Sequence, residues 1–238
     1  MSLADLVLEA EATIAMSMRV ARALDHAGSD ESERLLLRLA TPLGKYWICK
    51  RTPQRAVEAM ECIGGIGVME DTPMPRLFRA SPVNAIWEGS GNILCLDVLR
   101  SVQKAPEMLE VYFAEMAQAC SGNAVLDRHL TSLKRDWSAV KDREFSARSQ
   151  ADRLVLGLQV SLLARHAPGW LSEVFCQSHL DSPGHWQYGS LPLATIACGS
   201  SNGRCPRPTL EGFLAGSPVG AAQKPTSGDW PDFAAKCA

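Results

Sequence analysis

Residues 61–100 read ECIGGIGVMEDTPMPRLFRASPVNAIWEGSGNILCLDVLR. They contain two glycine clusters, Gly64-Gly65-Ile66-Gly67 and Gly89-Ser90-Gly91-Asn92, with a helical pattern before the first and after the second. Glycine commonly ends a helix and also precedes one, so the spacing by itself indicates only the end of one helix and the start of another (helix punctuation). No strand pattern precedes the first cluster, which therefore does not fit the dinucleotide-binding turn of a Rossmann unit.

The opening segment, residues 3–25, has apolar residues every three or four positions, which predicts an amphipathic helix. The predicted buried stripe consists of Leu3, Val7, Ala10, Ile14, Met18, Ala21 and Leu24. Glu9, Glu11, Arg19 and Arg22 lie largely off that stripe. Gly28 is expected to end this helix.

The next segment predicts two helices, the first of which has a kink. Asp30 with Glu33 three residues later predicts a capping box, and Pro42 predicts a kink. Thr52-Pro53 has the order of an N-cap followed by proline in the first turn, which predicts a new helix ending at Gly64.

The periodicity predicts an all-α fold built as a helical bundle. Another helix is expected from about Asn92, with its buried stripe formed by Leu94, Cys95, Val98, Leu99 and Val102. We expect a bundle over residues 1–104, a helical extension over 105–181 and an irregular, loosely ordered tail over 182–238, where periodicity is lost.

The composition is that of a globular protein, with 238 residues, 21% charged residues and a formal net charge of −2. That charge excludes a strongly basic nucleic-acid binder. No apolar run approaches the roughly 20 residues that span a bilayer, and acidic residues interrupt the N-terminal segment, so no signal peptide or membrane association is expected. We expect a cytoplasmic location and free thiols for the eight cysteines, with no metal site.

The glycine clusters also have a functional interpretation. The N-terminus of a helix exposes unpaired N–H groups and the positive end of a dipole, which together receive phosphate or thioester oxygen. Glycine lets a ligand approach the backbone closely. The spacing alone does not choose between this interpretation and helix punctuation.

The combination of GGIG, then Arg76 and Arg79, then WEGSGN resembles the C-terminal helical domain of acyl-CoA dehydrogenases, and most closely the AidB-like alkylation-response branch. The resemblance covers about residues 3–100 well and continues more weakly to about residue 191. It implies a homotetrameric FAD-dependent oxidoreductase that acts on CH–CH bonds of an acyl-CoA substrate.

The resemblance also implies roles for individual residues. Glu88 takes the position of the catalytic base in many members, and Trp87 and Gly89 would lie beside the substrate. Where the family usually has glutamine, this chain has Glu61, which cannot donate a hydrogen bond as an amide does. The FAD-contacting positions would be Glu61, Cys62, Ile63, Gly64, Gly65, Ser90, Gly91 and Asn92.

The family reaction removes the proton α to a thioester carbonyl while a hydride passes from the β-carbon to the flavin. An unperturbed glutamate is a weak base for such a carbon acid. We expect burial beside Trp87 and an apolar acyl chain to raise the pKa of Glu88. Without the resemblance, Glu88 has a simpler interpretation as a charge favouring the dipole of the next helix.

Two other functions stay open at this point. The AidB-like branch is associated with binding of double-stranded DNA, for which the candidate residues are Lys134, Arg135, Lys141, Arg143 and Arg148. Interleaved acidic residues instead indicate a solvated helix face of mixed charge. A third interpretation is an oligomerisation module without activity, in which the opening helix and the stripe from Leu94 to Val102 pack against sister subunits.

Overall fold

The computed structural model describes residues 2–119, 123–139 and 144–181, together with Tyr188. The described residues form helices and turns without any strand, so the predicted all-α class is confirmed. The α-helices are α1 (Ser2–His26), α2 (Glu31–Ile63), α3 (Met74–Ala80), α4 (Gly91–Lys104), α5 (Glu107–Ala117), α6 (Ala124–Ala139), α7 (Ala147–His166) and α8 (Gly169–Cys176). Two 3-10 turns, Gly65–Val68 and Ser81–Ala85, flank α3, and a π-helical turn, Gln177–Asp181, follows α8.

Helix α2 is one continuous helix of 33 residues, so the predicted helix start at Thr52-Pro53 is wrong. The Thr52 hydroxyl donates backward to the carbonyl oxygen of Ile48 (2.7 Å) and does not cap a following turn. The start of α2 follows the sequence more closely, because Asp30 Oδ1 accepts from the N–H groups of Ser32 (2.8 Å) and Glu33 (3.4 Å). Gly64 caps the far end with φ of 81°.

Helix α7 lies at the centre of the fold. It packs against α1, α2, α4, α5, α6 and α8. Between residues 154 and 163 every residue except Leu156 is buried. The residue ranges expected for the bundle, extension and tail stay a prediction, and 182–238 lies outside the described residues apart from Tyr188.

Helix α1 buries a different face from the one predicted. The buried residues are Asp5, Leu8, Glu9, Ala12, Met16 and Ala23. Leu3, Met18 and Leu24 of the predicted stripe are each at least 60% exposed. The stripe of α4 does lie inside the chain, because Cys95, Val98, Leu99 and Val102 are buried while α4 packs on α2 and α7. Those four residues therefore do not form an outward assembly face, and only Leu94 is partly exposed.

Buried ion pairs join the helices. Arg19 of α1 binds Glu33 of α2 (2.7 Å) and Glu115 of α5 (2.8 Å), and Arg165 of α7 also binds Glu115 (2.6 Å). Burial alone would raise the pKa of Glu115, but the hydrogen bonds and charges of the two arginines outweigh it and lower the pKa to about 2. Among the described helices, none has both the length and the apolar composition needed to cross a bilayer.

Candidate functional site

The turn before α4 places Glu88 in left-handed backbone, with φ of 58°, followed by Gly89 with φ of 123°. Glu88 is the one non-glycine residue with positive φ in the part of the chain that the structure describes. A side chain in this conformation costs roughly 1–2 kcal/mol, so neighbouring contacts must hold it. Such strain is characteristic of functional sites, and here it falls on the predicted base.

Helix α2 contacts this turn on both sides of Glu88. Lys45 Nζ donates to the carbonyl oxygens of Asn84 (2.7 Å) and Trp87 (2.9 Å). After Glu88, a Cβ on Gly91 would lie 3.1 Å from the Tyr46 ring, so the backbone of α4 approaches α2 closely there. The turn is therefore seated against two consecutive residues of α2.

A polar contact lies beneath the Tyr46 ring. The Tyr46 hydroxyl donates to Asp152 Oδ1 of α7 at 2.8 Å. Burial raises the pKa of Asp152 above its ordinary value. Burial, together with the charge of Asp152, also raises the pKa of the Cys95 thiol to about 11. These groups support the ring on which Gly91 rests.

Glu88 and Lys45 line an open groove of about 740 Å³ between α2 and α4. The two arginines that line the groove are paired with carboxylates. Arg38 makes a bidentate ion pair with Asp97 (2.8 and 3.0 Å), and Arg34 pairs with Glu31. The remaining lining residues are Leu37, Thr41, Pro42 and Leu94.

The Glu88 side chain is exposed and the Trp87 side chain is 57% exposed. The expected burial of Glu88 beside Trp87 is therefore not provided by the described part of this chain. The sequence placed an indole next to the carboxylate, but the left-handed turn directs this pair of residues to the surface. Enclosure of Glu88 would have to come from something other than the described residues of this chain.

The N-terminus of α4 follows directly. Ser90 is the N-cap residue, and its side chain makes no capping hydrogen bond. The first N–H groups of a helix have no intrahelical partner, so those of Gly91 and Asn92 are free to meet an acceptor. Asn92 is exposed beside them.

The first glycine cluster lies at the C-terminal end of α2, whereas the Glu88 turn contacts the middle of that helix. Glu61, Cys62, Ile63, Gly64 and Gly65 are all exposed, and the positions that a Cβ would take on Gly64 and Gly65 face open space. Lys45 and Gly64 are 19 positions apart on one helix, which is roughly 28 Å at 1.5 Å per residue. Within the part of the chain that the structure describes, the two glycine clusters therefore do not line one cavity.

The structure describes three of the five basic residues predicted to bind DNA. The Lys134 ammonium lies 5.4 Å from the centre of the Phe113 ring, and Arg135 pairs with Asp136 at 3.0 Å. Arg148 is exposed at the start of α7. Lys141 and Arg143 lie outside the described residues. Arg79, one of the residues that carry the family resemblance, binds Glu70 at 2.6 Å.

Lys45, Tyr46 and Asp152 were missed by the sequence reasoning. Lys45 and Tyr46 sit inside a helical pattern about 40 residues before the turn, and Asp152 is about 60 residues after it. The one available signal was Gly91, which indicates a close backbone approach without naming the partner.

Comparisons with known proteins identify the family of this fold. Residues 1–103 match the family model described as "Acyl-CoA dehydrogenase, C-terminal domain". The chain is 37% identical over 183 residues to "Putative acyl-CoA dehydrogenase AidB" of Escherichia coli and 32% identical over 155 residues to "Acyl-CoA dehydrogenase family member 11" of Caenorhabditis elegans. These alignments cover 76% and 64% of this chain, but 33% and 25% of the relatives.

Two solved structures share the fold. The crystal structure of Caenorhabditis elegans ACDH-11 in complex with C11-CoA aligns with a TM-score of 0.69 and 25% identity, over 76% of this chain and 35% of that one. The apo form of Bd2924 aligns with a TM-score of 0.56 and 28% identity, over 74% of this chain and 32% of that one.

The family model thus identifies residues 1–103 as a domain of the acyl-CoA dehydrogenase type. The family resemblance predicted from sequence is confirmed: this chain carries an acyl-CoA dehydrogenase C-terminal domain. It spans about a quarter to a third of the length of the curated relatives that it matches.

Proposed function

We propose that this chain is the C-terminal part of an FAD-dependent, acyl-CoA dehydrogenase-like oxidoreductase that acts on CH–CH bonds. The observation that carries the proposal is the Glu88 turn. It holds a carboxylate in strained backbone, directly before an uncapped helix N-terminus and at the edge of a groove of about 740 Å³. The family match supports it, as does the solved complex of the worm relative with C11-CoA.

In this proposal Glu88 takes the proton from the α-carbon of an acyl-CoA thioester. The backbone N–H of Glu88 would donate to the thioester oxygen, where negative charge develops as that proton leaves. Trp87 and Gly89 would flank the acyl group. Because Glu88 is exposed in this chain, the rest of a complete protein would have to cover the groove and exclude water.

In this proposal a flavin nucleotide would contact the described residues at two separate places. Gly64 and Gly65 present open backbone, with Glu61, Cys62 and Ile63 beside them, and this end of α2 would contact the adenosine diphosphate portion. Ser90, Gly91 and Asn92 offer uncapped helix N–H groups to a second portion. When bound, FAD would accept the hydride from the β-carbon of the substrate.

The separation of these two places favours an assembly of several copies. Since Lys45, which contacts the Glu88 turn, lies roughly 28 Å along α2 from Gly64, the first cluster would serve FAD held largely by a neighbouring subunit, in a homotetramer. The exposed apolar side chains Leu3, Met18 and Leu24 of α1 offer surface for such contacts. The alternative of an assembly module without activity shares this part of the proposal.

Two measurements test the proposal. The chain alone should lose most of its FAD on desalting, because many of the FAD contacts would come from other domains. Stoichiometric retention of FAD would refute the need for those domains. A chimaera of the worm relative, with residues 1–103 replacing the matched domain, should keep FAD and show flavin bleaching by an acyl-CoA without oxygen. The proposed activity is contradicted if the chimaera binds FAD that an acyl-CoA does not reduce, while the same acyl-CoA reduces the FAD of the unmodified worm relative.

A further inference from the structure

We infer that Lys45 is a positioning residue, whose ammonium holds the Glu88 turn in its left-handed conformation. The inference rests on the proposed function only for the role given to Glu88. The clamp itself is a property of the folded chain and is testable without flavin or substrate.

The two acceptors of Lys45 explain why it controls this turn. One is the carbonyl of Asn84 in the 3-10 turn, at 2.7 Å, and the other is the carbonyl of Trp87, at 2.9 Å. The Trp87 carbonyl belongs to the peptide plane that ends at the nitrogen of Glu88. Rotation of that plane changes ψ of Trp87 and φ of Glu88 together, so a fixed carbonyl restricts the φ of 58° at Glu88.

Lys45 reaches Glu88 through the backbone. Its ammonium has three donors and no acceptor, so two carbonyl oxygens can be bound at once. Lys45 is half-buried, and among the described residues no ion pair joins it to the Glu88 carboxylate, although both line the same groove. The clamp therefore leaves the carboxylate free to face a ligand.

The next residue of α2 holds the other side of the turn. Gly91 packs on the Tyr46 ring, and the Tyr46 hydroxyl is anchored to Asp152 of α7. One side of α2 thus fixes the backbone before Glu88 by hydrogen bonds and the backbone after it by close packing. The hydrogen bonds of Lys45 can be removed by a single substitution that leaves no cavity in the core.

Hydrogen exchange in the folded chain tests the clamp. The N–H groups of Ile86 and Trp87 bond to the Val83 carbonyl (2.9 and 3.1 Å) and report opening of the turn. Lys45→Met should speed their exchange by about fivefold or more, since one hydrogen bond contributes on the order of 1 kcal/mol. Lys45→Arg should restore at least half of the protection, and Lys50→Met, at an exposed lysine of the same helix, should change nothing.

Unchanged exchange at Ile86 and Trp87 in Lys45→Met would overturn the inference. So would faster exchange spread equally over α1, α2 and α5, because Lys45 would then be a general stabiliser. A second variant checks the link to strain: glycine adopts positive φ without penalty, so in a Glu88→Gly background Lys45→Met should have a smaller effect. An equal effect in both backgrounds overturns the inference.

The inference and the proposed function can fail separately. If the effect of Lys45→Met is localised but the protein never reduces flavin, the proposed function is rejected and the inference about Lys45 still holds.

Discussion

Glu9 Oε1 lies 2.8 Å from His179 Nε2, a contact between residues 170 positions apart that joins α1 to the last described turn. The same carboxylate, 1% exposed, binds Arg51 and Arg55 of α2 at 2.6 Å each. Burial alone would raise the pKa of Glu9, but the hydrogen bond with His179 and the charges of the arginines outweigh it and hold the pKa well below its ordinary value.

We expect Glu9→Gln to be severely destabilising. The substitution leaves two half-buried guanidinium groups without their counterion, and breaking a buried pair costs about 3–5 kcal/mol. Urea unfolding followed by circular dichroism measures the change. Glu11→Gln on the same helix is the matched control, and a loss from Glu9→Gln no larger than the control's would contradict the role given to this cluster.

Acid should weaken the protein partly through Glu115. Its pKa is lowered from 4.5 to about 2 by Arg19 and Arg165, so its contribution is fully present above about pH 4.5 and is lost as the pH falls toward 2. Glu115→Gln should therefore lower the free energy of unfolding at pH 7 and have little effect near pH 2. Glu110→Gln, on the exposed side of α5, should show no such pH dependence. A loss for Glu115→Gln that is equal at both pH values would count against the account.

Gln159 offers a stabilising substitution. It is fully buried in α7, and neither amide atom has a hydrogen-bond partner among the described residues. Gln159→Met keeps the shape and removes the unsatisfied groups, which should stabilise the protein by about 1–3 kcal/mol. Thermal unfolding checks this against Gln150→Met, where only the amide oxygen is both buried and without a partner among the described residues. A decrease in melting temperature for Gln159→Met would mean that the amide has a partner which the described residues do not include.

DNA binding stays a prediction from the resemblance. Arg135 is paired with Asp136, which reduces the charge that it offers to phosphate, whereas Lys134 lies over an aromatic ring and keeps its charge. If binding occurs, it should weaken steeply with salt, and Lys134→Glu with Arg135→Glu should reduce it without affecting flavin reduction. A fluorescence titration with duplex DNA at two ionic strengths decides; absent or salt-insensitive binding removes this function.

Local sequence signals predicted helices well and helix faces less well. In α1, apolar side chains form more than one stripe, and the buried one includes Glu9, which the sequence pattern assigned to the exposed side. A buried carboxylate is tolerated there because Arg51 and Arg55 neutralise it and His179 is within hydrogen-bond distance of it, and those partners are 42 to 170 residues away. No local pattern carries that information.

The candidate site shows the same division. The glycines marked the turn because unusual backbone conformations favour glycine, whereas Glu88 was singled out through the family resemblance. Lys45 was not predictable, since a lysine in mid-helix is usually solvated and its acceptors are backbone carbonyls that carry no sequence signature. Thr52-Pro53 shows the converse: a familiar helix start continues an existing helix here, because packing along α2 outweighs a local signal.

The most direct test of the central claim is the rate of flavin reduction by an acyl-CoA in the chimaera described above, with and without Glu88→Gln. If Glu88 takes the α-proton, the substitution should lower the rate constant by about 100-fold or more while FAD stays bound, because general bases typically contribute that much. Glu70→Gln, which changes an exposed carboxylate outside the groove, should leave the rate unchanged. Equal rates for Glu88→Gln and the unsubstituted chimaera would contradict the account.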